Sequence, residues 1–490
     1  MKRIVLLLIA EIRVAIKPFD RISRKPKTLN GVFAKNKQKH QLTIDKTRRL
    51  LYTLYERLGH SMTNIVLKSL RVKNFGPFAD EVIFTTAIDR SKKEYIENTF
   101  STEEDVFNRI SYIFGANGAG KSNFCKAIIQ IQSFINLSPI LASNNPQLME
   151  LQPVKLSAND MDRHFLFDVK GESTPSEYAI EIVMDGVTYN YSFAVYEGRI
   201  ISEQLTKKRR RTEVILSRTS SAYSSISLKS ELASFAPNVS VVKERALCLS
   251  MAAFLNNPLA SQLVMAINNI AVMNMANLNG LRNITQENFT EDIKQRCMRI
   301  LRIAEPTMDD LDVSFTEEKV DARKVPMSIE DLEGRELIIT NVRVDVQSRH
   351  TVYDEDAVVD HILLPFLKHE SSGTIKMLSI LPVLFEALET GSPIVIDELE
   401  NGLHPNVVQG ILDLFRSPET NPLNAQLICT THCISLAEKN VRRDQVWVIN
   451  KDSCGRSTIR RISDYPGTRT TDNIAERYLQ RAFGDVPRFK

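Results

Sequence analysis

From Ile65 the chain reads IVLKSLRVKNFGPFADEVIF, with branched apolar residues alternating with polar ones. The alternation breaks over Asn74–Pro77 and resumes at Val82–Phe84, which predicts a hairpin or bent strand pair. A cleaner period of two occupies Tyr178–Met184 and Val187–Val195, with Asp185–Gly186 between them as a tight turn. Another strand pair is expected between Ile200 and Ile215. Spacing turns helical over 229–305, where Leu259–Leu281 is apolar and Asn-rich. Phe289, Ile293, Cys297, Ile300, Leu301 and Ala304 mark one face of a second helix there. Val313–Val352 returns to short strands, and the polar stretch Asp89–Asp105 reads as a surface loop or short helix. Short apolar runs at Ile110–Phe114, Pro393–Glu398, Gln426–Thr431 and Val446–Asn450 read as strands. Apolar helices are expected at Phe124–Ile135 and in IKMLSILPVLFEAL, the latter kinked or shortened by Pro382, with a terminal helix at Asp472–Pro487. Heptads flanked by charge are missing, so no long coiled coil is expected.

Length alone bounds a 490-residue chain at roughly three domains. With 43% apolar and 25% charged residues the composition is that of an ordinary globular protein. The net charge of +4 hides a division: residues 1–61 hold 15 Lys/Arg against 4 Asp/Glu, leaving 48 against 55 in the remainder. The charge balance therefore does not support a uniformly basic nucleic-acid-binding body, and it leaves room for local patches. MKRIVLLLIAEIRVAI opens like a short signal sequence, but Glu11 and Arg13 interrupt it before it reaches a membrane span, and no small-residue cleavage site follows. Residues 1–61 are expected to be a disordered extension or to precede a true start at Met62; a basic arm on nucleic acid is the alternative. Six cysteines scattered at 125, 248, 297, 429, 433 and 454 show no paired framework, which predicts no disulfides and a cytoplasmic setting without membrane attachment. Lys207, Lys208, Arg209, Arg210 and Arg211 are five adjacent cations. They must reach solvent as a hairpin tip or lie on a polyanion such as DNA.

Candidate chemistry concentrates in four places. FGANGAGKSN places Gly115, Ala116, Asn117, Gly118, Ala119, Gly120, Lys121, Ser122 and Asn123 between an apolar strand and an apolar helix, in the G-x-x-x-x-G-K-S spacing of a phosphate-binding loop. Glycines let successive N–H groups turn inward, the helix start adds partial positive charge, Lys121 neutralises β/γ oxygens, and Ser122 ligates magnesium. Glu370, Ser371, Ser372, Gly373 and Thr374 form a second anion-favouring helix start. PIVIDE ends a buried strand in two carboxylates, Asp397 for magnesium and Glu398 for the attacking water. QLICTT leads to His432; Cys429, His432 and Cys433 are too compact for zinc and lack a fourth ligand nearby.

Taken in this order, the motifs resemble the SMC, RecF and OLD group of ABC-type ATPases, and AERYLQRAFGDVP resembles the ending of bacterial defence ATPases of the RloA and abortive-infection type. The resemblance implies an α/β P-loop NTPase of the ABC-ATPase head type, with a β-hairpin-rich lobe and an inserted helical region. The implied layout is a head split into 62–165 and 346–490 around an insertion at 166–345. Ser371, Ser372 and Gly373 take the place of the signature motif, with Ser372 and Thr374 departing from the usual L-S-G-G-Q. Leu403, His404 and Pro405 take that of the D-loop, and Gln152 that of a glutamine touching magnesium and water. His432 matches the switch histidine that senses the γ-phosphate, a satisfied buried histidine being the alternative. ATP and Mg2+ are the implied cofactors, and Lys121, Glu398 and His432 the implied catalytic set. Loop and signature meet between two copies in this group, so a head-to-tail dimer or higher oligomer is expected. Only 58 residues follow His432, with no D-x-D cluster, so no nuclease domain is expected here. The implied role is a sensor or regulatory subunit of antiphage defence with a separately encoded effector. Alternatives are a RecF-like DNA-repair ATPase and an ATP-gated scaffold with little hydrolysis.

Overall fold

The computed structural model describes residues 64–103, 105–142, 163–278, 280–281, 283–320, 339–438, 440–469 and 472–484. Expectations for 1–61, for Met62 and for the end of the terminal helix past 484 lie outside the described residues.

Strands that read as unbroken apolar runs are those buried on both faces. Strands β5 (Ile110–Gly115), β15 (Ile394–Asp397) and β16 (Leu427–Thr430) are buried at every position. They form the middle of a six-stranded sheet ordered β11-β15-β16-β5-β17-β18, with β11 at Ala271–Asn274, β17 at Val446–Lys451 and β18 at Ser457–Arg461. All its pairings are parallel except β17 with β18. Helix α1 (Lys121–Leu141) leaves β5 and packs along β5, β11 and β15. It is apolar all round and mostly buried, which is how a core helix satisfies the length and hydropathy of a membrane span. The result is an α/β layer in which a mostly parallel sheet carries a buried helix against its central strands.

Alternating strands build a second, antiparallel sheet ordered β10-β9-β8-β7-β6-β1-β2. Its members are β1 (Ile65–Lys73), β2 (Val82–Thr85), β6 (Ser176–Met184), β7 (Val187–Tyr196), β8 (Arg199–Lys208), β9 (Thr212–Arg218) and β10 (Ile226–Leu228). The β6–β7 turn has positive φ at both Asp185 and Gly186, and Met184 pairs with Val187, as a two-residue hairpin requires. β6 also pairs with β1, so the hairpins from Ser176 onward extend the sheet that the first strands begin. Phe134 of α1 packs against Tyr178 and Phe193 of this sheet, at ring-centroid distances of 5.7 and 5.2 Å. The Leu67 N–H donates to Gln426 Oε1 at 2.8 Å, a buried polar tie between the sheet and the residue preceding β16. At the β8–β9 tip Lys207 is paired with Glu213 and Glu231, while Lys208, Arg209, Arg210 and Arg211 are exposed.

The helical reading of Leu259–Leu281 holds only in part. Helices α2 (Cys248–Phe254) and α3 (Pro258–Asn268) form, but the chain then re-enters the parallel sheet as β11. Gln132 of α1 donates to the Ile267 and Ile270 carbonyls at 2.9 Å each, closing the helix end, and the branched residues that follow gain a partner in β15. Asp89–Asp105, expected as a surface loop or short helix, holds one short helical turn at Ile96–Asn98 and then β3 (Thr99–Ser101), which pairs with β4 (Val106–Asn108) just beyond the stretch.

Contacts set apart a second compact unit, Asn277–Glu386. It contains α4 (Glu291–Ala304), the antiparallel sheet β12 (Met308–Val320), β13 (Ile339–Asp354) and β14 (Ala357–Pro365), and most of α5 (Ser372–Thr390). α5 is not shortened by Pro382, which lies within it. Helices α6 (Pro405–Arg416) and α7 (Ile474–Leu479) belong to the larger unit.

The tightest backbone approach in the parallel sheet is at the end of β5, where a Cβ on Gly115 would sit 2.6 Å from the Ile449 carbonyl of β17. Gly115→Ala should therefore cost about 1–3 kcal/mol in urea unfolding, because backbone rather than a flexible side chain must give way. An unchanged midpoint would show that β5 and β17 do not close so tightly.

Candidate nucleotide-binding site

Parallel strands deliver their carboxyl ends to one edge, and polar residues collect where the buried apolar runs stop. At the end of β5 the loop turns through Gly118 at φ +75° and Gly120 at φ +120°, conformations that L side chains rarely adopt. The ideal Cβ position on Gly120 is 3.0 Å from Pro77 and 3.2 Å from Ser457 Oγ, so the loop is pinned between two neighbours. Ser457 Oγ also donates to the Ala119 carbonyl at 2.6 Å. Asn117 and Gly118 at the tip are exposed, Ala116, Ser122 and Asn123 are half-buried, and Ala119, Gly120 and Lys121 are buried. Lys121 Nζ folds back to donate to the Gly115 and Ala116 carbonyls at 2.7 and 3.1 Å. Burial lowers its pKa, while the negative charges of Asp397, Glu398 and Glu400 oppose that shift.

Asp397 ends β15 fully buried, and both of its oxygens are held by neighbouring strands. Thr430 Oγ1, at the end of β16, donates to Oδ1 at 2.6 Å, and Asn274 Nδ2, at the end of β11, donates to Oδ2 at 2.6 Å. The same Thr430 hydroxyl accepts the Glu398 N–H at 2.9 Å. Glu398 is a non-glycine residue at φ +58°, a conformation costing on the order of 1–3 kcal/mol that the surrounding contacts must sustain. Those contacts are the Thr430 hydroxyl, the Asn401 N–H to the Glu398 carbonyl, and Asn401 Nδ2 to Glu398 Oε2 at 2.8 Å. The left-handed turn ends the strand at Asp397, so two adjacent carboxylates leave it in different directions.

His432 lies just past β16. Its backbone N–H donates to Glu400 Oε1 at 2.6 Å, and its Nδ1 is 3.4 Å from Lys121 Nζ. With the ammonium as donor, Nδ1 carries the lone pair and the ring is neutral. Burial, and then the Lys121 cation, lower the His432 pKa against the opposing charges of Glu400, Glu398 and Asp397. Lys121, Asp397, Glu398 and His432 therefore converge on one end of the parallel sheet. His404 caps α6, its Nδ1 accepting the Asn406 N–H at 3.2 Å. Cys429 is buried within β16, and among the described residues no metal-ligand cluster of His, Cys, Asp and Glu occurs.

Ser371 belongs to the smaller unit, where its Oγ caps α5 by accepting the Thr374 N–H at 3.1 Å. Ser371 and Ser372 are exposed and Gly373 is half-buried. Glu370, just before them, accepts from Ser348 Oγ at 2.5 Å and lies 2.9 Å from His350 Nε2, tying the start of this helix to β13. Gln152 lies outside the described residues. Sequence reasoning missed Asn274, Thr430 and Glu400. Thr430 and Glu400 stand beside recognised motif residues, whereas Asn274 was hidden inside a stretch read as helical.

Residues 309–438 match the family model described as "AAA domain, putative AbiEii toxin, Type IV TA system". The match includes Ser371, Asp397, Glu398 and His432. Among solved structures, the SMC head domain from Thermotoga maritima is similar at 11% identity, over 81% of this chain and 98% of that one, with a TM-score of 0.35. None of the curated proteins compared with the chain matches it. The family model covers about a quarter of the chain, in its second half.

A hydrogen bond to a buried charge is worth about 1.5–3 kcal/mol, so Asn274→Ala should lower unfolding stability by that amount. Thr430→Val should do the same, and the double variant should lose less than the sum, because both act on Asp397. Strict additivity in urea unfolding would show that the two donors do not share that carboxylate.

Proposed function

We propose that this protein is an ABC-type ATPase that binds ATP between two copies of itself and hydrolyses it. The observation that carries the reading is the convergence of Lys121, Asp397, Glu398 and His432 beside a glycine loop at a helix start. The residues fit the group they would hold: a positive-φ glycine turn exposes backbone N–H groups, and a buried carboxylate stands fixed at the strand end. Ser122 and Asp397, with Gln152, would hold magnesium, which when bound offsets the charge that builds on the transferring phosphoryl group.

Lys121 exchanges the Gly115 and Ala116 carbonyls for phosphate oxygens, an exchange its folded-back position makes short. Glu398 orients the attacking water and accepts its proton. His432 contacts the γ-phosphate, and Ser371, Ser372 and Gly373 of a second copy close the opposite side with the N-terminal end of α5. Binding energy thereby assembles a head-to-tail dimer, and phosphate loss releases it. We place this cycle in the cytoplasm, as the sensor or regulatory part of an antiphage defence system acting through a separately encoded effector; the motif order and the matched family segment support that role. A second reading, a repair-type ATPase on DNA, is favoured by the exposed Arg209–Arg211 tip.

Glu398→Gln should lower ATP turnover by about 10²–10⁴-fold while ATP binding persists, and light scattering should then show an ATP-dependent dimer. Full turnover in this variant, or no dimer with ATP, would sink the proposal. Neutralising Lys208, Arg209, Arg210 and Arg211 should leave turnover intact; salt-sensitive DNA binding that disappears with them would move the role toward repair.

A further inference from the structure

Glu400 is a charged residue at the site for which the reaction as described has no use. One of its oxygens, Oε1, accepts the His432 N–H at 2.6 Å. The other, Oε2, is buried and has no hydrogen-bond partner among the described residues. A buried carboxylate oxygen without a donor is destabilising, so it needs a reason beyond the fold. Anchoring the strand end is not that reason, because other bonds already do so. The Thr431 N–H donates to the Ile113 carbonyl, the Leu399 N–H to the Thr430 carbonyl, and the Cys433 N–H to Thr431 Oγ1 at 2.9 Å. A glutamine at 400 would keep an acceptor for the His432 N–H and remove the charge.

What the carboxylate adds is negative charge behind His432. The groups facing that imidazole are Lys121 from the start of α1, Asp397 and Glu398 from the end of β15, and Glu400 from the turn that follows. Lys121 is the single cation among them, and it is the residue that would turn toward bound phosphates.

We propose that Glu400 is a positioning residue of the ATP-hydrolysing site, whose charge acts through His432 to hold the imidazole toward the phosphate end of the loop. The inference rests on the ATPase reading. With Lys121 drawn onto phosphate, Glu400 keeps a negative partner beside His432, so the ring stays aligned as a donor while Glu398 handles the water. Its free oxygen supplies an acceptor already desolvated for that purpose.

Steady-state turnover in a double-variant cycle tests this. Glu400→Gln should lower kcat at least about tenfold with the KM for ATP unchanged within about twofold, since a mispositioned group costs rate rather than binding. Placed in a His432→Ala background, the same substitution should have no further effect, and Glu400→Asp should recover part of the lost rate. Melting temperatures establish that the variants are folded. A purely structural clamp predicts normal kcat in Glu400→Gln, because the amide oxygen still accepts the backbone N–H; that result overturns the proposal. So does an equal loss with and without His432, or a loss confined to KM. Absence of turnover in the unaltered protein would instead overturn the ATPase reading, and this inference with it.

Discussion

A sheet buried on both faces can carry charge only at its ends, and the site follows from that constraint. β5, β15 and β16 are buried throughout, and the one charged residue in them, Asp397, stands at the carboxyl edge with both oxygens held by the strands on either side. That arrangement is costly to break: removing either donor strands a buried carboxylate, and the sheet register that aligns Asn274, Asp397 and Thr430 is set by parallel pairing along each strand. Thr430 links this carboxylate to the next by also accepting the Glu398 N–H. The strained backbone at Glu398 is thus sustained by the same hydroxyl that fixes Asp397.

Much of this was legible in the sequence. Gly115–Ser122 declared itself by spacing, and the parallel strands by short apolar runs bounded by polar residues. The hairpin at Asp185–Gly186 appeared as predicted because a period of two and a turn dipeptide are local signals. What escaped depends on distant partners. Residues Ile270–Met273 satisfy a helical pattern as readily as a strand, and only pairing with β15 decides between them. Asn274 was invisible for that reason. The positive φ of Glu398 and the unpaired oxygen of Glu400 are likewise consequences of tertiary packing, which one-dimensional spacing does not encode.

The residues we assign to the ATP site divide between the two compact units. Lys121, Asp397, Glu398 and His432 share the larger one, and Ser371 caps α5 in the smaller. Glu370 fastens the start of that helix to β13 of the three-stranded sheet. On our account an ATP site is completed only when the loop of one copy meets the Ser371 helix of another, which makes nucleotide binding an assembly signal.

The most direct measurement of that claim is complementation between two inactive variants, Lys121→Ala and Ser371→Arg. Each alone should fail to turn over ATP. Mixed in equal amounts they should regain up to about a quarter of the unaltered activity, because half of randomly formed dimers then contain one site with both halves intact. Failure of the folded mixture to recover, or full activity in either variant alone, would contradict a site shared between two copies.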